Sequence, residues 1–263
     1  MIFETHAHFD DEAFDEDRES LLVEMKENGI EVIVNIGVDI ENSKFNVEFI
    51  KKYDFMYGTV GVHPNETANL KEQDMNILRM LAGSEKIIAI GEIGLDYHYD
   101  KPKPSVQKIW FEKQLELARE LSMPAVIHSR DAAKDTLDMM KVLHAEEIGG
   151  VIHCFAYGKE MAREFLSLDY YLGIGGVITF KNAKKLKEVV DYVPIEKIVL
   201  ETDAPYLAPD PFRGKRNSSL YLVYVAEAIA QIKGMSTEEV IAVTNHNAKK
   251  MYQLLTTHDE RKE

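Results

Sequence analysis

Histidines and carboxylates recur in this chain at spacings that suit metal binding. THAH places His6 and His8 one residue apart. On a β-strand, residues i and i+2 point to the same face, so both imidazoles can aim at one point. An isolated His-x-His also arises without function, so the other reactive residues decide its meaning. His63 lies in GVHP, Glu92 in GEIGLD, His128 in VIHSRD, His153 in VIHCF and Asp203 in LETDAP. Imidazole and carboxylate ligands together suit Zn2+, Mn2+ or Fe2+, and Mg2+ less readily because it prefers oxygen. The number of candidate ligands suggests two ions. Glu92 has two carboxylate oxygens and could bridge a metal held by His6 and His8 to another held by His128 and His153. Two ions roughly 3.5–4 Å apart can share a hydroxide nucleophile and stabilise the leaving oxygen of a phosphoester. Asp203 could bind one ion and take the proton from water, a general-base role that contributes about 10²–10⁴-fold. One ion, with the spare histidines supporting it, is the alternative.

These residues can meet only if the fold brings distant segments to one place. Short β-branched runs recur at residues 2–6, 32–38, 55–62, 86–92, 125–128, 150–153, 170–174 and 197–201. Between them lie RESLLVEMKENG, SVQKIWFEKQLELARELSM and AAKDTLDMMKVLHAEEIGG, whose apolar residues recur at three and four and whose ends carry Gly or Pro. Strands alternating with helices imply a parallel α/β sheet. Eight such units predict a (β/α)8 TIM barrel rather than an open doubly wound sheet, whose Gly-rich first turn is missing here. In such a barrel the chemistry sits at the C-terminal ends of the strands. Five of the nine histidines fall there. Gly91 and Gly94 flank Glu92 and are expected to form the tight turn that aims it. Cys154 is expected to pack as a small apolar residue, because its neighbour His153 already points inward.

After the eighth strand comes the loop DAPYLAPDPFRGKRN, then SSLYLVYVAEAIAQIKG and a helix opening with STEE, where Ser236 and Glu239 fit a capping box. The C-terminal helices are expected to complete the barrel's outer ring. One domain over residues 1–256, with a charged tail at 257–263, is the simplest organisation.

The 263 residues can bury a sizeable core, on the order of 70–75% of the unfolded surface. Hydrophobic residues make up 45% and no apolar run reaches the roughly 18 residues of a membrane span, so a soluble chain is expected. The lone Cys154 cannot form an internal disulfide, and the first strand leaves no room for a leader, which points to the cytoplasm. Nothing calls for a membrane or an obligate protein partner. The net charge of −14 opposes wrapping a long phosphate backbone, so any nucleic-acid footprint should be small. Against that background RGKR at residues 213–216 stands out near Asp203. Arg213 and Arg216, with Arg130 beyond His128, are candidates for holding phosphate, which guanidinium groups grip bidentately.

THAHFD, GVHP, GEIGLDYH, IHSRDA, HCF, LETDAPYLAP and RGKRN, in this order, resemble the TatD family of metal-dependent deoxyribonucleases within the amidohydrolase superfamily. The resemblance spans Thr5 to Tyr252. It implies a distorted barrel with a divalent-metal centre (Mg2+, Mn2+ or Zn2+) and 3′-to-5′ exonuclease action on single-stranded DNA or RNA ends. It implies His6, His8, Glu92, His128, His153 and Asp203 as metal ligands and His63 as a contact to substrate. Many amidohydrolase relatives bridge their metals with a carboxylated lysine; Glu92 at that place matches the TatD branch. Two departures matter: Glu4 stands where family members commonly have Asp, and Ser218 and Ser219 stand where Glu-Pro commonly follows RGKRN. The competing readings are an esterase built on the same centre, such as a D-aminoacyl-tRNA deacylase, and a non-catalytic barrel that binds a partner and uses metal for stability. Release of amino acid rather than nucleotides would mark the first. Turnover lost on chelation with the melting temperature retained would exclude the second.

Overall fold

A computed structural model describes residues 1–99 and 101–255. The expected tail at 257–263 lies outside the described residues. Eight parallel strands form one sheet in the order of the sequence: β1 (Ile2–Ala7), β2 (Ile30–Asn35), β3 (Met56–Val60), β4 (Ile87–Asp96), β5 (Ala125–Arg130), β6 (Gly150–Ile152), β7 (Tyr171–Ile174) and β8 (Ile198–Leu200). Each is followed by a helix: α1 (Arg18–Glu27), α2 (Ile40–Ile50), α3 (Glu72–Ala82), α4 (Pro104–Glu120), α5 (Ala133–Val142), α6 (Lys159–Ser167), α7 (Lys184–Tyr192) and α8 (Leu222–Lys233), and α9 (Thr237–Met251) comes last. This is the expected α/β barrel. Its strands are buried on both faces, as apolar runs such as IVL in β8 require.

The barrel is distorted where β8 meets β1. There one isolated bridge joins Ala7 to Ala204 in the loop after β8, and the seam is completed by Asp203 N donating to His6 O at 2.9 Å and His8 N to Ala204 O at 2.8 Å. Side chains supply the rest. Thr5 Oγ1 donates to Leu200 O at 2.8 Å, while the buried Glu4 carboxylate accepts from Thr202 N at 2.9 Å and Thr202 Oγ1 at 2.7 Å.

The helix α9 joins the outer layer through Val240 and Ile241 as expected, but its last turn leaves it. Its Ala248 and Met251, with Tyr252, join the apolar cluster of the barrel interior formed by Phe3, Val32, Val34, Val126, Val151 and Val199. Tyr252 stacks on Phe3 with ring centroids 6.0 Å apart and donates its hydroxyl to Thr5 O at 2.9 Å. Asn247 Nδ2 donates to the carbonyls of Ile195 and Ile198. The last turn therefore stoppers the end of the barrel opposite the catalytic loops, and each buried aromatic there contributes about 1.5–3 kcal/mol. The expected capping box is present, with Ser236 Oγ accepting from Glu239 N and Glu239 accepting from Ser236 N.

Candidate metal centre

The strand β4 is longer than expected. Glu92 does not end it but lies within its ten residues, where the pairing with β5 slips between Ile90 and Ile93. No turn is needed at Gly91 or Gly94, and the glycines serve close approach instead. A Cβ on Gly91 would stand 2.6 Å from Val126 Cβ. At Gly94, whose φ is +144°, it would stand 1.9 Å from His128 O. The bare backbone lets β4 and β5 press together, and the slip turns Glu92 into the barrel mouth with its N–H on Gly37 O at 2.7 Å.

Around Glu92 the other five expected ligands come together. His128 Nδ1 lies 2.6 Å from Glu92 Oε1; His6 Nε2 lies 3.5 Å from Oε2, and His153 Nε2 3.8 Å from Oε1. Asp203 Oδ1 faces His8 Nε2 at 3.4 Å, His6 Nε2 at 3.7 Å and His153 Nε2 at 3.9 Å. Three groupings have donor atoms within 4.8 Å of one another: His6, His8 and Asp203; His63, Glu92 and His128; and His6, His153 and Glu201. The pairing differs from the expected one in two ways. His153 stacks on His6 with centroids 3.4 Å apart, whereas its ring lies 6.3 Å from that of His128. His63 takes its place beside His128, with Nε2 3.8 Å from Glu92 Oε1.

Two orienting carboxylates were not legible as such. Glu201 Oε2 lies 3.2 Å from His153 Nδ1, and its Oε1 accepts from Cys154 N at 2.5 Å. Gly173 makes room for it, since a Cβ there would meet Glu201 Oε2 at 2.2 Å. Asp96 Oδ2 lies 3.2 Å from His128 Nε2. A carboxylate on one ring nitrogen fixes the imidazole and leaves the other nitrogen to coordinate. The signal was present in LETD, where Glu201 precedes Asp203 by two residues.

The field of the site favours positive charge. Burial opposes charge on Glu92, yet the imidazoles of His153, His128 and His63 hold its carboxyl well below the usual range. His153 is likewise opposed by burial, and Glu201 and Glu92 carry it up to about 10. Burial takes His63 the other way, down to about 4. Carboxylates that stabilise an imidazolium this strongly stabilise a divalent cation by the same field. The buried Nδ1 of His6 has no protein partner, and the nitrogen and oxygen donors fit Zn2+ or Mn2+.

The centre opens into a cavity of about 450 Å3 whose walls also carry Asp10, Asp11, Asp39 and Glu66. Arg130, Arg213 and Arg216 are not among its lining residues. Arg216 is committed elsewhere: its Nη1 and Nη2 donate to Asp17 Oδ1 and Oδ2 at 2.7 and 2.6 Å, and its guanidinium lies 4.8 Å from the Phe14 ring centre. Arg213 lies over Phe180 at 4.2 Å and Arg130 over Tyr99 at 5.6 Å. Cys154 is partly exposed beside Glu201, and burial pushes its thiol well up.

The two departures from the family pattern meet. Glu4 Oε2 accepts from Ser219 Oγ at 2.8 Å, and Glu4 Oε1 accepts from His6 N at 3.1 Å. Burial pushes the Glu4 carboxyl up to about 7, against the four donors it receives from Thr202, His6 and Ser219. The longer Glu4 thus ties the β1–β8 seam to the segment after RGKRN through a hydroxyl. Ser218 caps that segment instead, with Oγ accepting from Leu220 N.

Residues 3–253 match the model of the family described as TatD related DNase. The uncharacterized metal-dependent hydrolase YabD of Bacillus subtilis is 44% identical over 254 residues, covering 97% of this chain and all of that one. The 3′-5′ ssDNA/RNA exonuclease TatD of Cronobacter sakazakii is 31% identical, covering 95% of this chain and 97% of that one. The crystal structure of YJJV, a TatD homologue from Escherichia coli, superposes with a TM-score of 0.90 at 27% identity, covering 96% of this chain and 98% of that one. With the match running through every strand that carries a candidate ligand, the chain belongs to the TatD-related DNase family.

Proposed function

We propose that this protein is a divalent-metal-dependent hydrolase that removes nucleotides from the ends of single-stranded DNA or RNA, working 3′ to 5′. The observation that carries the reading is the convergence of His6, His8, His63, His128, His153 and Asp203 around the buried Glu92 at the barrel mouth. The name borne by the relative from Cronobacter sakazakii supports the choice of substrate.

Two ions, Mg2+, Mn2+ or Zn2+, would be held by His6, His8 and Asp203 on one side and by Glu92 and His128 on the other, with His153 between them. Such ions supply Lewis acidity to a phosphodiester oxygen and acidify water. Glu201 and Asp96 keep His153 and His128 turned toward the centre. Asp203 is the general base. Burial works against its charge, but His8, His153 and His6 lower its pKa, so its carboxylate is ionised and able to receive a proton at neutral pH. His63, neutral at that pH, stands at the cavity wall and donates a hydrogen bond to a phosphate oxygen. Arg130 and Arg213 would meet phosphates outside the cavity; for Arg216 the Asp17 contact must first break.

The test is cleavage of end-labelled single-stranded DNA by chelator-stripped protein to which Mg2+, Mn2+ or Zn2+ is returned, beside Glu92→Ala. Stepwise shortening that needs both metal and Glu92 is the expected result. A fully active Glu92→Ala protein refutes the reading, and no cleavage with any ion moves the assignment to another ester, such as an aminoacyl ester.

A further inference from the structure

Next to the metal cavity lies a smaller, apolar one of about 170 Å3, and the two share Asp203 as a wall. Phe155, Val177, Leu186 and Leu207 line it, together with the amide of Asn182 and the side chain of Lys185. Leu207, 40% exposed, forms its open edge. Drug-sized ligands occupy roughly 300–1,000 Å3. This space takes one ring system, not a whole ligand.

Its rim carries positive charge. In an acidic chain, KNAKKLK at residues 181–187 gathers four lysines on and just before the first turn of α7. Lys181, Lys184 and Lys185 are exposed and make no ion pair or hydrogen bond among the described residues. Arg213 joins them through its stack on Phe180, the residue before Lys181. Asp210 N donates to Thr179 Oγ1 at 2.8 Å and clamps the loop bearing Arg213 against this segment. Apolar walls, the Asn182 amide and Lys185 in the cavity that Asp203 also lines, with further cations on the neighbouring segment, are the parts of a single-strand binding site: a face for the base, and charge for the backbone.

We propose that the apolar cavity seats one nucleobase of a single-stranded nucleic acid, and that Lys181, Lys184, Lys185 and Arg213 hold the phosphates beside it. This rests on the nucleic-acid reading above and adds where the strand lies. Recognition by a cavity face and backbone charge admits any base. It also explains how a chain of net charge −14 with an acid-walled metal cavity approaches a polyanion, since the cations stand in one place.

The test measures binding apart from cleavage. Fluorescence anisotropy of labelled octathymidylate is followed in chelator across a salt series for the wild type, for Lys181→Glu/Lys184→Glu/Lys185→Glu, for Ala156→Trp, which fills the cavity from its exposed edge, and for the control Lys26→Glu/Lys51→Glu/Lys52→Glu. Each phosphate neutralised on a single strand contributes about −0.7 to the log–log salt slope. The α7 variant is therefore expected to flatten that slope by about 2, with the control unchanged. Ala156→Trp is expected to weaken binding on the order of tenfold, and replacing the bases by abasic sites should cost the wild type as much and Ala156→Trp little more. Melting curves confirm that each variant is folded. Equal losses in both lysine sets, an unchanged slope, or wild-type affinity in Ala156→Trp overturns the proposal, as does a wild type that binds no oligonucleotide at low salt. A wild type that binds in this manner but does not cleave when Mg2+, Mn2+ or Zn2+ is returned sustains the seat and overturns the nuclease reading instead.

Discussion

Glu92 and His128 stand on β4 and β5, which pair from Ile90–Ala125 to Asp96–Arg130, whereas His6, His8 and Asp203 stand across a seam where one isolated bridge joins β1 to the loop after β8. The first half of the centre is positioned by main chain: two glycines let the strands approach, and hydrogen bonds along the ladder set the register. The second half is positioned by side chains, with the Glu4 carboxylate gathering donors from β1, from the β8 loop and from Ser219. A barrel can therefore close incompletely and still hold a site in place, provided that a buried acceptor replaces the missing ladder. The difference also predicts how each half fails.

The largest effect is expected on the main-chain side. Gly94→Ala drives a Cβ into the His128 carbonyl at a backbone angle that alanine resists, and a loss of about 4 kcal/mol is expected from the urea midpoint. An alanine variant as stable as the wild type would show that the strands can part without harm. Next comes the seam. Glu4→Ala leaves buried donors without an acceptor and is expected to cost about 3 kcal/mol. Amide exchange should quicken in β1 and around Thr202 while β4 stays protected; uniform exchange would erase the contrast between the halves.

Glu201→Gln removes the charge behind His153 without changing its shape. A 10–100-fold weaker hold on Mn2+ or Zn2+ is expected by titration, with little change in melting temperature. The smallest effect belongs to Arg216→Ala. The ion pair with Asp17 is partly exposed, so less than about 1 kcal/mol is expected, fading as salt is raised. A larger loss would mean that the loop after β8 depends on this contact as much as the seam depends on Glu4.

The barrel and the clustering of the candidate ligands were legible because their signals are strong and repeated. Six of the eight expected strands end near a candidate histidine or carboxylate, and eight strand–helix repetitions leave one architecture that puts those ends together. Glu4, Asp96 and Glu201 were not legible as supports, since a carboxylate inside a strand declares neither its burial nor its partner. Read locally, GEIG resembles a turn; only the closeness of Val126 and His128 shows that its glycines serve strand contact. The amphipathic pattern of α9 showed that one face is buried but not against what, and Tyr252 settles that by reaching Phe3 inside the barrel. The pairing of ligands escaped for the same reason, because His6 and His153 meet only through closure of the seam.

Counting the ions tests the metal centre most directly. Chelator-stripped protein is titrated with Mn2+ and with Zn2+ by calorimetry, beside Glu92→Ala, whose fold is checked by its melting curve. Two ions per wild-type chain are expected, with the affinity or the number sharply reduced in Glu92→Ala because Glu92 faces His6, His63, His128 and His153 alike. A wild type that binds no divalent ion, or a Glu92→Ala protein that binds the same number as tightly, would contradict a two-metal centre built around Glu92.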